Sequence, residues 1–278
     1  MKSNFTYSTC WKKSLILRYP VNDILSVNNI CFVKKNNDYY FQHFFELPQN
    51  LNFVDIINKK TIEDAKFVFK YINKSNLVNL EKWCNLYNYE IEIIDEWKAP
   101  FLKVDKQIED IFENSPHKQT KKNYRHYKKN KDKYEFTTSI KHNTLDLWNC
   151  VLKIDNDSWK KEENSDMKSL EREDLQYLPF MLNNPDKVSL VVMFEDKKPI
   201  SYSLFFQENN LWYAVKWGSN NSGRNNYAGI ICLFEHLNII YNKNNNFIID
   251  FWGRNNNVYD KLKNFDIERM HFSIKRRR

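Results

Sequence analysis

The sequence predicts an α/β (α+β) fold, and three observations carry that expectation. The last third alternates strand-like and helix-like segments in a regular order. The middle holds one basic helical stretch and two further helical stretches. The first hundred residues interleave strand-like runs with a run at helical spacing. Composition supports a real core: 42% of the 278 residues are apolar and 16% aromatic, which argues against disorder and suits one or two domains.

Element by element, 30–34 and 38–46 read as strands joined by an Asn36-Asn37 turn. Ile62, Ala65, Phe69 and Ile72 recur near helical spacing, which predicts a helix over 61–75, with Thr61 and Asp64 as start signals. Glu90 to Ile94 reads as a short strand, interrupted by Ala99-Pro100. A short helix is expected over 105–114. Lys118, Lys122, Arg125 and Lys129 then share one face of a helix, and Tyr124 and Tyr127 another. Residues 134–140 are strand-like, and 143–162 and 168–183 helical. Three strands follow, at 188–194, 200–207 and 211–217, with Asp196-Lys197-Lys198 and Glu208-Asn209-Asn210 as turns. A polar loop (218–226), a helix (227–243), a strand (247–252), a short helix (256–264) and a strand (267–274) close the pattern.

The chain has only four glycines, Gly218, Gly223, Gly229 and Gly253, all inside 36 residues, and makes its other turns largely with its 38 asparagines. No phosphate-binding P-loop and no G-x-G-x-x-G run exists, so nucleotide sites of those kinds are excluded. Cys10, Cys31, Cys84, Cys150 and Cys232 form no C-x-x-C, and the six histidines have no metal-like spacing, so reduced thiols and no metal are expected. No apolar run is long enough for a membrane span, and the first residues lack the apolar core of a signal peptide, so a cytoplasmic protein is expected. Of the net charge of +8, residues 118–133 contribute +7 and the final four +4, leaving −3 for the rest. The chain is nearly neutral apart from two basic patches.

The order strand, polar loop, helix, strand fits a phosphorylated ligand. A helix start offers unpaired N–H groups and a positive dipole end, and small residues let the backbone approach a pyrophosphate. Here the loop reads Ser222-Gly223-Arg224-Asn225-Asn226-Tyr227-Ala228-Gly229. This stretch resembles the pyrophosphate loop [QR]-x-x-G-x-[GA] of the GNAT acyltransferases at Arg224 and Gly229, and departs from it at Tyr227, where that family has Gly. Asn256 to Phe265 is similar to the family's Asn followed by Tyr-Glu-Lys-Leu-Gly-Phe. Over 99–265 the chain looks like a branch of acetyltransferases from cellulose-biosynthesis clusters, related to the Fem-type peptidyltransferases. The matching features are Ala99-Pro100, the basic helix, Ser158-Trp159-Lys160, Ala228-Gly229, Asp250-Phe251-Trp252-Gly253-Arg254, and Tyr259 with Asp260-Lys261.

That resemblance implies a GNAT-like mixed sheet flanked by helices, in two GNAT-like halves, a degenerate one at 1–115 and an acyltransferase domain at 116–278. It implies acetyl-CoA or another acyl-CoA as donor, held near Trp217, Gly218, Arg224, Asn225, Asn226, Tyr227, Ala228 and Gly229. It assigns Tyr259 as the acid that protonates the leaving thiolate, a role its ordinary pKa near 10 suits. The alternative for Tyr259 is a helix tyrosine packed on the sheet. Asp250, inside an apolar strand, either acts as base or orients the acceptor, or caps the next turn. Trp159, Lys160, Glu162 and Arg254 are candidate acceptor contacts, with a core tryptophan and a solvated lysine as the bland alternative for the first two. The implied activity is N-acylation of a small amine or amino sugar for cell-surface material. Two other readings remain: an aminoacyl-tRNA donor, favoured by the basic helix and the broken glycine motif, and a non-catalytic scaffold that binds nucleic acid or a partner.

Overall fold

The computed structural model describes residues 15, 19–27, 30–41, 65–139, 143–163, 177–251 and 258–277. The chain forms two compact units, one of Met1–Ala99, Gly253–Asn255 and Asp266–Arg278, the other of Pro100–Trp252 and Asn256–Phe265.

In the first unit, strands β1 (Ile24–Val27), β2 (Ile30–Lys35), β3 (Asp38–Phe41), β4 (Phe67–Asn73), the start of β5 (Tyr89–Val104) and most of β11 (Phe265–Arg276) form a sheet in the order β1-β2-β3-β4-β11-β5. The β2–β3 hairpin turns through Asn36 at φ 58°, a left-handed position that asparagine tolerates without glycine. Helix α1 (Leu77–Leu86) packs Leu77, Leu80 and Cys84 into an aromatic core with Phe32, Phe67, Phe69 and Phe272. The helix expected over 61–75 is a correction: Phe67–Asn73 is strand β4, and 61–64 lie outside the described residues. The strand carries an irregularity opposite Met270/Phe272, and Tyr71 sits at φ 60°. That irregularity puts Phe69 and Ile72, three residues apart, in one core, which imitates helical spacing in the sequence. A second correction concerns Ala99-Pro100, which does not interrupt a strand. The chain runs extended through both, and the boundary between the units falls between them.

In the second unit the order is β5-β10-β9-β8-β7-β6, with β6 (Glu135–Thr138), β7 (Val188–Glu195), β8 (Lys198–Glu208), β9 (Leu211–Ser219) and β10 (Phe247–Asp250). The three-strand run β7–β8–β9 is antiparallel and turns through Asp196, Lys197 and Asn209, all at positive φ. One face carries α2 (Ile108–Glu113), the basic helix α3 (Lys118–Asn130) and α8 (Ala228–Lys243), sharing a core with Val191, Phe205 and Ala214. The other carries α4 (Thr144–Asn156) and α6 (Tyr177–Asn183), whose Tyr177 and Phe180 pack on Phe206. Short helices α5 (Trp159–Glu162), α7 (Asn221–Asn225) and α9 (Tyr259–Leu262) lie at the strand ends. This is the mixed sheet flanked by helices that the resemblance implies. No helix among the described residues is long and apolar enough to cross a membrane.

Candidate active site

Two features of β9 create the site. First, β9 pairs in parallel with β10 only over Leu211–Tyr213, then runs on to Ser219 without a β10 partner among the described residues. Second, its pairing with β8 jumps from Phe205–Ala214 to Leu204–Lys216, so Val215 is an extra, bulged residue. Side chains alternate along a strand, so Ala214 and Trp217 would face opposite ways without the bulge. With it, both pack against the α8 core. The carbonyl of Trp217 and the open side of Gly218 then face Lys160 on the other side of the strand.

A cavity of about 560 Å³ lies beside this end of β9, its wall including Lys160, Trp217, Arg224, Tyr227, Gly229 and Tyr259. Trp217 is its hub. The indole Nε1 donates to the Tyr259 hydroxyl oxygen at 2.8 Å, and a Cβ built on Gly229 would meet the indole at 3.3 Å. Phe251 stacks on the Tyr259 ring at 5.1 Å. Burial pushes the Tyr259 phenol above its ordinary range, partly offset by the indole hydrogen bond. The phenol is therefore a proton donor at neutral pH. Helix α9 is held in place from two sides: Thr120 of α3 donates to the Lys261 carbonyl at 2.7 Å, and the Asn264 amide exchanges two 2.8 Å hydrogen bonds with the Lys103 backbone.

The loop into α8 is set by local chemistry. The Asn220 side chain accepts from the Gly223 N–H at 2.8 Å and caps α7. Gly223 fits where a side chain does not: a Cβ there would sit 2.8 Å from the Ile200 carbonyl oxygen, so the backbone would have to shift. Tyr227 precedes α8 at φ 57°, the left-handed conformation that glycine supplies cheaply. The departure from the GNAT loop pattern thus keeps the backbone shape that glycine would give, at a strain of about 1–3 kcal/mol. Ile230 and Ile231 both donate to the Tyr227 carbonyl at 3.1 Å. The N–H groups of Ala228 and Gly229 open the helix, where no intrahelical acceptor exists for them, and Tyr227 supplies no side-chain cap. Gly229 lines the cavity, so this positive helix end faces it. The Gly229 amide and Arg224 suit a pyrophosphate.

On the far side of β9 lies a charge cluster. Lys160 Nζ donates to Asp155 Oδ1 at 2.8 Å, to the Tyr202 hydroxyl at 3.2 Å and to the Trp217 carbonyl at 3.4 Å. Tyr202 also donates to Asp155 Oδ1 at 2.9 Å. The lysine side chain is 13% exposed and the aspartate 2%. The reading of Lys160 as a solvated lysine is therefore corrected: it is an ion pair in the cavity wall. Asp155 and Tyr202 were missed in the sequence, because an aspartate in a helix and a tyrosine in an apolar strand carry no spacing signal.

The remaining candidates divide. Trp159, exposed by 39%, lines the cavity rather than the core. Gly218 also lines it, while Ala228 is buried behind it. Asn225 and Asn226 are exposed on the loop and Glu162 at the end of α5, none of them lining the cavity. Asp250 is fully buried and outside the lining. Phe247, Ile249 and Phe251 face α8, so alternation puts Asp250 on the opposite face from the Phe251–Tyr259 stack. Arg254 lies outside the described residues. Among the described residues no His, Cys, Asp and Glu cluster could hold a metal.

Asn123 of α3 lines the cavity, while the basic stripe of that helix faces away from its buried residues Thr120, Tyr124 and Tyr127. Arg125 pairs with Glu113 at 3.0 Å, whereas Lys118, Lys122 and Lys129 point to solvent with no carboxylate in ion-pair range among the described residues.

No family model and no curated protein matches the sequence. Solved structures do. FemX superimposes over 98% of this chain and 92% of its own with TM-score 0.66 at 8% identity. L-PGS from Bacillus licheniformis covers 100% and 94% with TM-score 0.63 at 9% identity. The C-terminal domain of a putative lysylphosphatidylglycerol synthetase from Agrobacterium fabrum covers 91% and 83% with TM-score 0.60 at 8% identity. At such identities the likeness is one of fold, and the chain shares that fold along nearly its whole length.

Proposed function

We propose that this chain is an acyltransferase that moves an acyl group from acyl-CoA, most simply acetyl-CoA, onto a primary amine. The observation that carries the reading is the cavity beside the end of β9, where a helix start suited to phosphate and a partly buried, indole-bonded tyrosine meet. Acyl-CoA would supply an activated thioester. Arg224 and the Gly229 amide would hold its pyrophosphate. Tyr259 donates its proton to the departing sulfur, and the Trp217 N–H holds the phenolate that results. The amine acceptor, a small molecule or amino sugar used in cell-surface material, enters past the exposed Trp159. The walls hold the reactants together, and proximity supplies most of the acceleration.

A second reading, an aminoacyl-tRNA donor, is favoured by the solvent-facing Lys118, Lys122 and Lys129 of α3. Calorimetry separates the two. Saturable acetyl-CoA binding below millimolar concentration, weakened at least tenfold by Arg224→Ala, supports the first. No acetyl-CoA binding at millimolar concentration, with salt-sensitive tRNA binding, replaces it with the second. Turnover with neither donor across an amine panel leaves the scaffold reading.

A further inference from the structure

An ammonium held against a buried carboxylate in a cavity wall is an expensive arrangement. Replacing such a pair by apolar residues is often neutral or stabilising, so stability alone gives little reason for Lys160 and Asp155. Its location supplies one. Lys160 reaches the β9 backbone just past the bulge, at the Trp217 carbonyl, while the Trp217 indole binds Tyr259 from the opposite face. One residue, Trp217, thus separates an ammonium from a phenol across the end of β9, and both line the same cavity. Gly218 makes the approach possible, since a Cβ there would lie 3.0 Å from Nζ and 3.6 Å from Tyr202 Cε1. Two of the ammonium contacts, to Asp155 and Tyr202, fix its place. The third, to the Trp217 carbonyl, is long at 3.4 Å and easily exchanged for a substrate oxygen.

We infer that the Lys160 ammonium binds the carbonyl oxygen of the acyl donor and carries the negative charge that develops there, with Asp155 and Tyr202 as its positioning residues. This rests on the acyl-transfer reading but not on the choice of donor, since thioester and ester present the same carbonyl. In the step, the amine lone pair forms the new C–N bond and the carbonyl π pair moves onto oxygen, beside Lys160. That pair then returns, the bond to the leaving sulfur or oxygen breaks, the leaving atom takes a proton from Tyr259, and the amine proton passes to water. A fixed ammonium in a partly dry wall favours the charged state over the neutral donor, so it acts on kcat more than on KM.

The test uses p-nitrophenyl acetate as a generic acyl donor and hydroxylamine as acceptor, with the full chain, Lys160→Met, Lys160→Arg and Gly218→Ala. Lys160→Met should lose about 100-fold in kcat with KM within about threefold, while Lys160→Arg, which keeps the charge, loses less. Gly218→Ala, which pushes the ammonium aside without removing it, should also lower kcat, and keeps the inference testable if Lys160→Met does not fold. An unchanged kcat in Lys160→Met or Gly218→Ala overturns the inference. So does a change confined to KM, or a wild-type chain no faster than Lys160→Met. Failure of the donor reading looks different. A wild type that needs Lys160 for ester aminolysis but takes neither acetyl-CoA nor aminoacyl-tRNA keeps this inference and removes both donors. Use of a natural donor at an unchanged rate in Lys160→Met keeps the donor and removes the inference.

Discussion

Helix α8, whose first turn builds the site, carries His236 at the centre of its buried face with no exposure to solvent. Its Nε2 lies 2.8 Å from Ser189 Oγ, and its ring stacks on Phe205 at 4.5 Å. Burial, aided by the nearby Lys243 charge and opposed by the Ser203 backbone, pushes the imidazole down from 6.5 to about 3. The folded chain therefore keeps His236 neutral across a window in which the unfolded chain protonates it. Between pH 6.5 and about 3 the unfolded state binds more protons, so stability is full above 6.5 and falls as pH drops. Each pH unit inside the window removes about 1.4 kcal/mol, giving roughly 2 kcal/mol by pH 5. For a chain of this size that is a fall in Tm of about 4–8 °C. His236→Gln keeps a polar contact to Ser189 and cannot be charged. Melting curves from pH 8 to pH 5 should show wild type losing those degrees relative to the variant. Other acidic groups titrate in both proteins and cancel in the difference. Parallel curves would refute a buried neutral histidine in this core.

Tyr259→Phe should lower kcat of acyl transfer by about 100-fold. Trp217→Phe removes the hydrogen bond that lowers the Tyr259 pKa, so the alkaline limb of the pH–rate profile should move to higher pH; a downward move contradicts the assigned direction. Gly223→Ala, whose Cβ would meet the Ile200 carbonyl oxygen at 2.8 Å, should cost about 1–3 kcal/mol in urea unfolding and weaken donor binding. Tyr227→Asn places a residue tolerant of φ 57° at the start of α8 and should stabilise by about 1 kcal/mol. A loss instead would mean that the Tyr227–His126 edge contact at 5.4 Å outweighs the strain.

The β7–β8–β9 run was legible because its turns carry Asp, Lys and Asn at positive φ between apolar runs. Helix α8 and strand β10 were legible because both are buried along most of their length. Strand β4 was not, since an irregularity alters the two-residue period on which strand recognition depends. The cavity was half legible. Arg224, Gly229 and Tyr259 sit in local patterns that survive in one dimension. The Lys160 cluster does not, because Tyr202 is 42 positions away and meets the lysine only once β8 and α5 are placed. Asp250 shows the converse: an acid in an apolar strand stands out in a sequence, yet strand parity decides which face it serves.

Strand β11 lies between β4 and β5 in the first unit, although most of the second unit separates it from them in sequence. Arg269 hydrogen-bonds to Asn73 across 196 positions. At about 5–20 residues per second, a ribosome needs roughly 10–40 s to add that stretch. Until then β4 and β5 each offer an unpaired edge to the solvent, the kind of edge that recruits foreign strands. The first unit thus starts to emerge before the second and closes after it. Faults in strand β11 should surface as aggregation of that unit rather than as damage to the cavity.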